Sequence, residues 1–308
     1  MCDTTCQLTV LMAIHNGMPF LRTAIESILK QTYRRFHFLI IDDASTDETR
    51  DIVRSYDDPR IELLCLERNV GQTAALNIGL RHASTPWIAR MDADDYSAPT
   101  RFEEQMRLLD ESGSLTCVGT FAWIFRDDPH MVEGMIERPL GSAAIKRGLL
   151  HGAPMIHGSL VIRCAALLEV GAYNERYRYS ADRDLYNRLL TRYPAANVPQ
   201  RLLGIRWHKS QGSFSKVAAD ENIEIFSRML ESSEYTPQEK TVLRGSLAYT
   251  YLVRAKGWAA QRQYGELLKD LASAFRASPT RTLRRLAIYP IPDRLRVRLR
   301  QRLSRTPS

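Results

Sequence analysis

The first two hundred residues alternate short apolar runs with segments whose apolar positions recur at helical spacing. The apolar runs, typical of strands, occupy residues 8–14, 36–41, 61–66 and 87–91, and the helical patterns lie between them. A strand, a helix and a further parallel strand form a right-handed βαβ unit by default. Three successive alternations therefore predict an α/β fold with a mostly parallel central sheet flanked by helices.

The pattern also predicts where regular structure begins and stops. Ser45 followed by Glu48 matches a capping box, which predicts a helix over about residues 46–55. Residues 126–141 follow neither period, so we expect a loop region over the site. Further predicted elements are a strand at 159–163, a helix from about 182 to 193 and a strand near 202–207.

Strand patterns end near residue 215. Residues 217–277 carry helical patterns that are interrupted at Thr236-Pro237 and at Gly257, which predicts a small helical appendage. A chain of 308 residues with 44% hydrophobic content can build one large domain with such an appendage. We therefore predict three regions, with boundaries at residues 1–215, 216–278 and 279–308.

The positive charge is concentrated in the third region. Residues 279–308 contain nine arginines and one aspartate, which accounts for the formal charge of +8 of the whole chain. Leu295, Leu299 and Leu303 would form one helical stripe among these arginines, so the tail could lie on an anionic membrane surface. A solvated arginine-rich end is the alternative, and the lack of interleaved aromatics disfavours nucleic-acid binding.

The sequence predicts a cytoplasmic protein that is peripheral to the membrane. No stretch approaches the roughly 20 apolar residues that span a bilayer. Residues 1–5 lack the basic start and apolar run of a secretion signal.

Three carboxylates, Asp92, Asp94 and Asp95, directly follow the apolar run that ends at Met91. Ligands bind at the carboxyl ends of strands in open α/β sheets, and clustered carboxylates repel one another unless a cation neutralises them. Mg²⁺ and Mn²⁺ prefer oxygen ligands and usually bridge a few carboxylates to substrate phosphates. The cluster therefore indicates a divalent cation and a nucleotide ligand.

The acidic cluster has two other interpretations, a calcium loop and a solvated loop. A calcium loop of the EF-hand type requires a glycine where this chain has Ser97, and Pro99 would interrupt it. A solvated acidic loop would explain a lone Asp-x-Asp sequence. The surrounding segments therefore have to distinguish a solvated loop from a cation site.

Two further strand ends would face the same crevice. Asp43 follows the second strand, where its carboxylate can accept hydrogen bonds from a nucleobase or from ribose hydroxyls. Asn16 follows the first strand and could bond a base edge or ribose, although Asn16-Gly17 is equally typical of a plain turn.

Five segments, in order and at the expected separations, resemble the family 2 glycosyltransferases. They are residues 10–17 (VLMAIHNG), 24–33 (AIESILKQTY), 40–47 (IIDDASTD), 69–77 (NVGQTAALN) and 91–95 (MDADD). The resemblance implies an inverting enzyme of the GT-A fold, with a Rossmann-like, mostly parallel sheet in residues 1–215.

The resemblance also implies roles for residues that bind the nucleotide-sugar donor. Asp43 would contact the nucleobase, and Gly71 and Asn77 would belong to the donor site with Asn16. Asp92 and Asp94 would form the Asp-x-Asp element that grips ribose and metal, supported by Asp95.

Two later segments resemble further parts of the family pattern. Residues 179–185 (YSADRDL) place Asp182 as the candidate catalytic base, although Ala181 stands where glutamate or another polar residue is common. A helix N-cap is the simpler role for Asp182, and both roles are compatible. Asp184 is expected to be structural.

Two histidines complete the implied site. His208, in residues 206–208 before Gly212 to Ser215, would reach the metal or the diphosphate, with a solvated histidine as the alternative. His157 falls where the family often has a histidine near the acceptor.

The predicted function is transfer of a sugar from a nucleoside-diphosphate donor, of which a UDP-sugar is favoured, to a hydroxyl. The acceptor would be a glycan or a lipid-linked molecule in cell-envelope polysaccharide synthesis, with Mn²⁺ or Mg²⁺ as cofactor. One alternative is a non-catalytic relative that binds a sugar nucleotide. Another is a sugar-phosphate nucleotidyltransferase, which would need a glycine-rich basic loop where residues 15–19 read HNGMP.

Overall fold

The computed structural model describes residues 6–208 and 216–288. The chain divides into two compact units, Met1–Phe214 and Ser215–Ser308. None of the described helices combines the length and the apolar composition that a membrane-spanning helix requires.

The first unit alternates strands and helices, as the sequence pattern predicts. Its strands are β1 (Leu8–Ile14), β2 (Phe36–Asp42), β3 (Ile61–Cys65), β4 (Trp87–Arg90), β5 (Tyr96–Ser97), β6 (Cys117–Phe125), β7 (Gly134–Ile136), β8 (Val161–Arg163) and β9 (Ala195–Arg206). Its helices are α1 (Leu21–Leu29), α2 (Thr49–Arg54), α3 (Gln72–His82), α4 (Arg101–Ser112), α5 (Ser142–Gly148), α6 (Cys164–Glu169) and α7 (Ala181–Leu189). A single 3₁₀ turn, His157–Ser159, precedes β8.

Within residues 6–208 the strands form one sheet in the order β3-β2-β1-β4-β8-β6-β9-β5, and β7 pairs with β6. Strands β1 to β4 pair in parallel, whereas β4 and β6 both pair antiparallel with β8. Strand β9 pairs parallel with β6 and antiparallel with β5. The parallel half, β1 to β4, is the part that the βαβ pattern predicts, and a half with mixed strand directions extends the sheet beyond it.

Both faces of the parallel half are covered by helices. Strand β1 is buried along its whole length, and the apolar stripe of α1 packs into the same core. On α3, Gly79 lies where a Cβ atom would collide with the side chain of Leu11 and come within 3.1 Å of Ile41. Glycine therefore allows this helix to pack closely on the sheet.

The register of the parallel strands brings three strand ends side by side. Ile14 pairs with Asp42, and Leu11 pairs with Arg90 at the end of β4. The main-chain amide of Asp43 donates to Ile14 at 2.7 Å, and that of Met91 donates to Leu11 at 3.2 Å. The segments that follow β1, β2 and β4 thus start at one edge of the sheet, as a parallel sheet requires.

Some predicted element boundaries were wrong. Helix α2 begins only at Thr49, because the hydroxyl of Ser45 accepts a hydrogen bond from the Asn16 amide instead of capping a helix. The predicted loop region at residues 126–141 contains the short strand β7, Gly134–Ile136. A three-residue strand is too short to produce a visible alternation of apolar and polar positions.

The second unit is helical in its described part. It contains α8 (Lys216–Glu231), α9 (Pro237–Ala260), α10 (Tyr264–Ala277) and α11 (Pro279–Ile288). A capping box of Thr236 and Glu239 starts α9, but the helix continues through Gly257, where the sequence pattern predicts an interruption. The predicted amphipathic stripe at residues 293–303 lies outside the described residues.

Candidate active site

Two adjoining cavities open at the carboxyl ends of the parallel strands. The first, of about 630 Å³, is lined by the acidic cluster and by parts of α7 and the 157–159 turn. The second, of about 690 Å³, is lined by the ends of β1 and β2 and the start of α3. Four residues line both cavities: Gln72, Thr73, Arg178 and Tyr179. An elongated ligand could therefore extend from one cavity into the other.

The first cavity, called the acidic cleft below, brings together candidates that are far apart in sequence. They are Asp92 and Asp94, which follow β4, together with His157, Asp182 and His208. Asp95 also lines this cleft. No pair of elements that are adjacent in the chain could make this combination, because the tertiary fold has to bring α7 and the end of β9 to β4.

Asp92 is oriented by a buried arginine. Arg90, which is 2% exposed, donates to Asp92 Oδ1 at 2.6 Å, and Gln72 Nε2 donates to the same oxygen at 3.2 Å. Burial opposes ionisation of Asp92, but the charge and hydrogen bond of Arg90 outweigh it and lower its pKa. Asp92 is therefore the carboxylate of the cluster that remains ionised most readily.

The pKa values of the other two aspartates, Asp94 and Asp95, shift upward, opposite to that of Asp92. Burial raises the pKa of Asp94, and repulsion from Asp92 raises it further. Burial, followed by repulsion from Asp94 and Asp92, raises the pKa of Asp95 well above its usual range. Burial and mutual repulsion thus disfavour simultaneous ionisation of the three carboxylates, and a bound cation would relieve that repulsion.

Arg206, the last residue of β9, and His208, two residues further on, both contact the acidic cluster. His208 Nε2 lies 2.9 Å from Asp94 Oδ2. Arg206 donates from its main-chain amide to Asp95 Oδ1 at 3.0 Å, and from Nε to the main-chain oxygen of Asp94 at 2.9 Å. The end of β9 therefore determines the position of the acidic loop, although more than one hundred residues separate the two.

The donor set of the cleft fits a hard divalent cation held by few protein ligands. Asp94 and His208 already lie within hydrogen-bond distance of each other, and Asp92 lines the same cleft. Among residues 6–208 and 216–288, no group of three or more His, Cys, Asp or Glu side chains is arranged to hold a metal by itself. Mg²⁺ commonly takes one or two carboxylates and completes its coordination with substrate phosphates and water.

The sequence motifs did not point to Gly158, although it contacts the cluster. A Cβ atom at this position would lie 3.1 Å from Asp92 Oδ2 and 3.3 Å from Asp95 Oδ2. Glycine thus lets the 157–159 turn pack directly on the carboxylates. Gly158 and Arg90 carry no pattern that a single sequence could reveal, because their importance depends on the fold.

Asp182 lies in the first turn of α7 and lines the acidic cleft. Ser180 occupies the N-cap position, so the alternative role of Asp182 as the N-cap is wrong. Burial raises the pKa of Asp182, although the Arg183 amide, at 2.7 Å from Oδ1, opposes this shift. A raised pKa suits a carboxylate that accepts a proton during a reaction.

Asp184, two residues further along α7, has a different environment. It is fully buried and forms an ion pair with Arg188 at 2.7 Å. Asp184 does not line the acidic cleft, which agrees with the structural role predicted for it.

His157 projects from the 3₁₀ turn into the cleft. Its Nε2 lies 2.8 Å from the hydroxyl of Tyr173, and the two rings meet edge to face with centroids 5.5 Å apart. Burial, reinforced by the charge of Arg90, lowers the pKa of His157 to about 3. The imidazole is therefore neutral at physiological pH, and it presents one donor and one acceptor.

Asp43 and Gly71 meet in the second cavity. Asp43 accepts hydrogen bonds from the main-chain amides of Val70 and Gly71 at 2.7 and 2.8 Å. Gly71 has a φ of +88°, a conformation that favours glycine, and it precedes the first residue of α3. Each carboxylate oxygen of Asp43 retains a second lone pair, which could accept a hydrogen bond from a nucleobase.

The two asparagines of the predicted donor site do not line either cavity. Asn16 is exposed, and its Oδ1 accepts from the Thr46 amide at 2.8 Å. Asn77 is buried, donates to the main-chain oxygen of Tyr173 and accepts from its amide. Asn77 thus supports the segment that carries Tyr173, and a direct donor contact by either asparagine stays a prediction.

Of the two neighbouring residues after β1, His15 lines the second cavity and Asn16 does not. The Nδ1 atom of His15 lies 2.8 Å from the main-chain oxygen of Asp43. His15 was not singled out from the sequence, although the HNG segment that contains it was.

Comparison with known proteins gives one family. Residues 9–171 match the model of glycosyl transferase family 2. The protein EpsE of Bacillus subtilis (strain 168), which carries the name of a glycosyltransferase, is 34% identical over 206 residues. This match covers 65% of the present chain and 73% of EpsE.

Two solved structures show a similar fold at low sequence identity. S. aureus TarS 1-349 in complex with UDP-GlcNAc has a TM-score of 0.70 at 16% identity, covering 90% of this chain and 82% of TarS 1-349. The mannosyltransferase PcManGT from Pyrobaculum calidifontis, in complex with GDP-Man and Mn²⁺, has a TM-score of 0.61 at 20% identity. This second match covers 92% of the present chain and 81% of PcManGT.

Proposed function

The chain belongs to glycosyl transferase family 2 and has the GT-A fold that its sequence implies, and we propose that it is an inverting, metal-dependent transferase of a sugar from UDP to a hydroxyl. The observation that carries this proposal is the acidic cleft, in which a partly buried aspartate, Asp182, faces the same space as Asp92 and Asp94. A base and a cation site at one cleft are the two parts that the reaction needs.

The donor would extend through both cavities. Asp43 and Gly71 would hold the nucleobase end in the second cavity, and the diphosphate would lie at the acidic cleft beside Asp94. Gln72 and Arg178 line both cavities and could contact the part of the donor in between. This arrangement would leave the sugar in the acidic cleft, close to Asp182.

Asp182 would act as general base. An acceptor hydroxyl attacks the anomeric carbon of the sugar, and Asp182 takes its proton as the new glycosidic bond forms. The bond to the nucleoside diphosphate breaks on the opposite face, so the configuration is inverted. His157, which is neutral, could orient the acceptor hydroxyl through a hydrogen bond without competing for this proton.

Asp92 and Asp94 would be the carboxylate ligands of the divalent cation, with His208 beside them through its contact with Asp94. The cation, when bound, would offset negative charge on the departing diphosphate. Other residues of the chain would keep these metal-binding carboxylates in place. Arg90 orients Asp92, and Arg206 holds both Asp94 and Asp95. These contacts limit reorganisation of the site when the donor binds.

Uridine diphosphate is the proposed leaving group. TarS 1-349, which shares the fold, is in complex with UDP-GlcNAc, whereas PcManGT is in complex with GDP-Man. The proposed acceptor is a hydroxyl of a glycan or lipid-linked molecule of the cell envelope. Attachment of the chain to an anionic membrane surface through residues 279–308 is a further proposal, of which only the α11 portion lies in the described structure.

Calorimetric titration of UDP, GDP and dTDP, each with and without Mn²⁺, tests the donor proposal. We expect UDP to bind with Mn²⁺ and to bind much more weakly without it. Preference for GDP or dTDP would change the donor class, and absence of binding by all three would contradict the proposal.

Slow release of UDP from a UDP-sugar without acceptor tests catalysis separately from binding. A non-catalytic relative would bind the donor without releasing UDP.

A further inference from the structure

The donor, placed as proposed, leaves one part of the acidic cleft for the acceptor. The second cavity and the residues shared by both cavities would be used by the nucleotide. The remaining wall is formed by Ile136, Arg138, Ala153 and Met155 and reaches Ala181 and Asp182. An acceptor whose hydroxyl approaches Asp182 would therefore contact this wall.

Arg138 is the notable residue of this wall because its hydrogen-bonding capacity is largely unused. Within the described part of the chain its Nε is buried and has no hydrogen-bond partner. Its only hydrogen bond there is a long one of 3.4 Å, from Nη1 to the main-chain oxygen of Glu137. Buried polar groups are nearly always satisfied, so such a nitrogen points to a missing partner.

No carboxylate of the described residues forms an ion pair with Arg138. Two arginines that contact aspartates of the cleft do have such partners: Arg90 pairs with Asp92, and the charge of Asp182 acts on Arg183. Burial lowers the pKa of Arg138, which is the effect expected of a cation that is removed from water without a counter-charge. Arg138 thus resembles one half of an ion pair.

The surroundings of Arg138 do not provide the other half. Ala181, at the start of α7, lines the same cleft and contributes neither charge nor hydrogen bond. Tyr186, one turn further along α7, is fully buried, and its hydroxyl also has no partner among the described residues. A planar guanidinium matches the two oxygens of a carboxylate or phosphate.

We infer that the acceptor carries an anionic group, a carboxylate or a phosphate, which Arg138 binds beside Asp182. The inference rests on the proposed function, and it adds a chemical class to the acceptor. Arg138 would then determine acceptor specificity, because a neutral acceptor would leave its buried Nε without a partner.

Binding of three small probes tests this inference in the full chain saturated with UDP and Mn²⁺. Methyl β-D-glucuronide carries a carboxylate, glucose 6-phosphate carries a phosphate, and methyl β-D-glucoside is neutral. We expect at least one anionic probe to bind about tenfold or more tightly than the neutral one, as measured by calorimetry. The comparison of the two anionic probes distinguishes a carboxylate from a phosphate.

Variants of the arginine assign the preference to Arg138. Arg138→Gln should remove the preference for the anionic probe, and Arg138→Lys should retain part of it because the charge remains. Ala181→Glu should weaken the anionic probes by introducing a negative charge into the cleft. Arg147→Gln removes an exposed arginine of α5 that does not line the cleft, and it should leave the preference unchanged.

Three outcomes would overturn the inference. The first is equal binding of the neutral and anionic probes, and the second is an unchanged preference in Arg138→Gln. The third is a loss of UDP affinity in Arg138→Gln, since Arg138 would then belong to the donor site. Failure of the wild-type chain to bind UDP would instead contradict the proposed function itself, and this inference with it.

Discussion

The proposed donor side and the proposed acceptor side of the two cavities, called the donor wall and the acceptor wall, differ in how completely their polar groups are already satisfied. The donor wall, defined here as Asp43, Gly71, Asp92, Asp94 and His208, is cross-linked by hydrogen bonds at 2.6–2.9 Å within the chain. The acceptor wall, defined as Arg138, His157 and Asp182, includes a buried guanidinium nitrogen with no partner among the described residues.

We propose that this difference separates two tasks. A donor wall held rigidly by its own contacts is prepared for a nucleoside diphosphate, whose charge is the same whatever sugar it carries. On the acceptor wall, a buried nitrogen of Arg138 has no partner among the described residues, so the bound substrate has to supply one. This requirement is a source of specificity. We therefore expect substitutions on the donor wall to affect nucleotide binding, and substitutions on the acceptor wall to affect turnover and acceptor choice.

Asp182→Asn should separate the walls most clearly. Without the general base, kcat should fall about 10²- to 10⁴-fold, while the Kd for UDP with Mn²⁺ stays unchanged. The measurement is UDP release at saturating donor together with calorimetry. Asp184→Asn on the same helix serves as the control, because Asp184 is buried outside the cleft and should affect Tm instead of chemistry. Wild-type turnover in Asp182→Asn would assign the base elsewhere.

Asp94→Ala should damage the donor wall instead. Loss of a cation ligand should weaken Mn²⁺-dependent UDP binding and lower the rate about 10²- to 10³-fold, because charge on the leaving diphosphate is less well stabilised. Asp94→Asn keeps the shape of the side chain and should fail in the same way. The acidic cluster would be assigned wrongly if either variant retained metal-dependent transfer at the wild-type rate.

The pH dependence of kcat/KM should report on the acceptor wall when Mn²⁺ is saturating. Asp182 must be ionised to accept a proton, and burial raises its pKa above the usual value of 3.8. Activity should therefore be lost as the pH falls through this raised pKa, about tenfold per pH unit below it. Bound cation favours the ionised form of Asp94, so this residue should not contribute. An acid limb centred at or below 3.8 contradicts the assignment.

Tyr173→Phe should produce the smallest effect. It removes the 2.8 Å hydrogen bond to His157 but keeps the ring, so about 1 kcal/mol, or roughly fivefold, is expected in KM for the acceptor. UDP affinity should not change. Tyr264→Phe, at an exposed position of α10, is the matched control. If Tyr173→Phe weakened UDP more than it changed acceptor KM, the division into two walls would be incorrect.

Most of the donor wall could be predicted from the sequence. Asp43 and Asp92 each follow a strand that the alternation of apolar and polar positions reveals, and parallel strands place such ends at one edge. The cluster of Asp92, Asp94 and Asp95 predicts a cation by its charge alone. Local sequence motifs predicted structure less well where a side chain bonds a residue distant in the chain. Ser45, for example, accepts a hydrogen bond from the main-chain amide of Asn16 instead of capping α2.

The sequence by itself determined the α/β class, the strands that end in carboxylates, and the glycosyltransferase family. Only the tertiary structure decided that Arg90 orients Asp92, that Gly158 packs on the carboxylates and that Arg138 lines the same cleft as Asp182. The physical reason is how far apart in the chain the interacting residues lie. Apolar periodicity and strand-end charge are local properties, whereas burial, desolvation and missing partners arise only when segments distant in the chain enclose the same space.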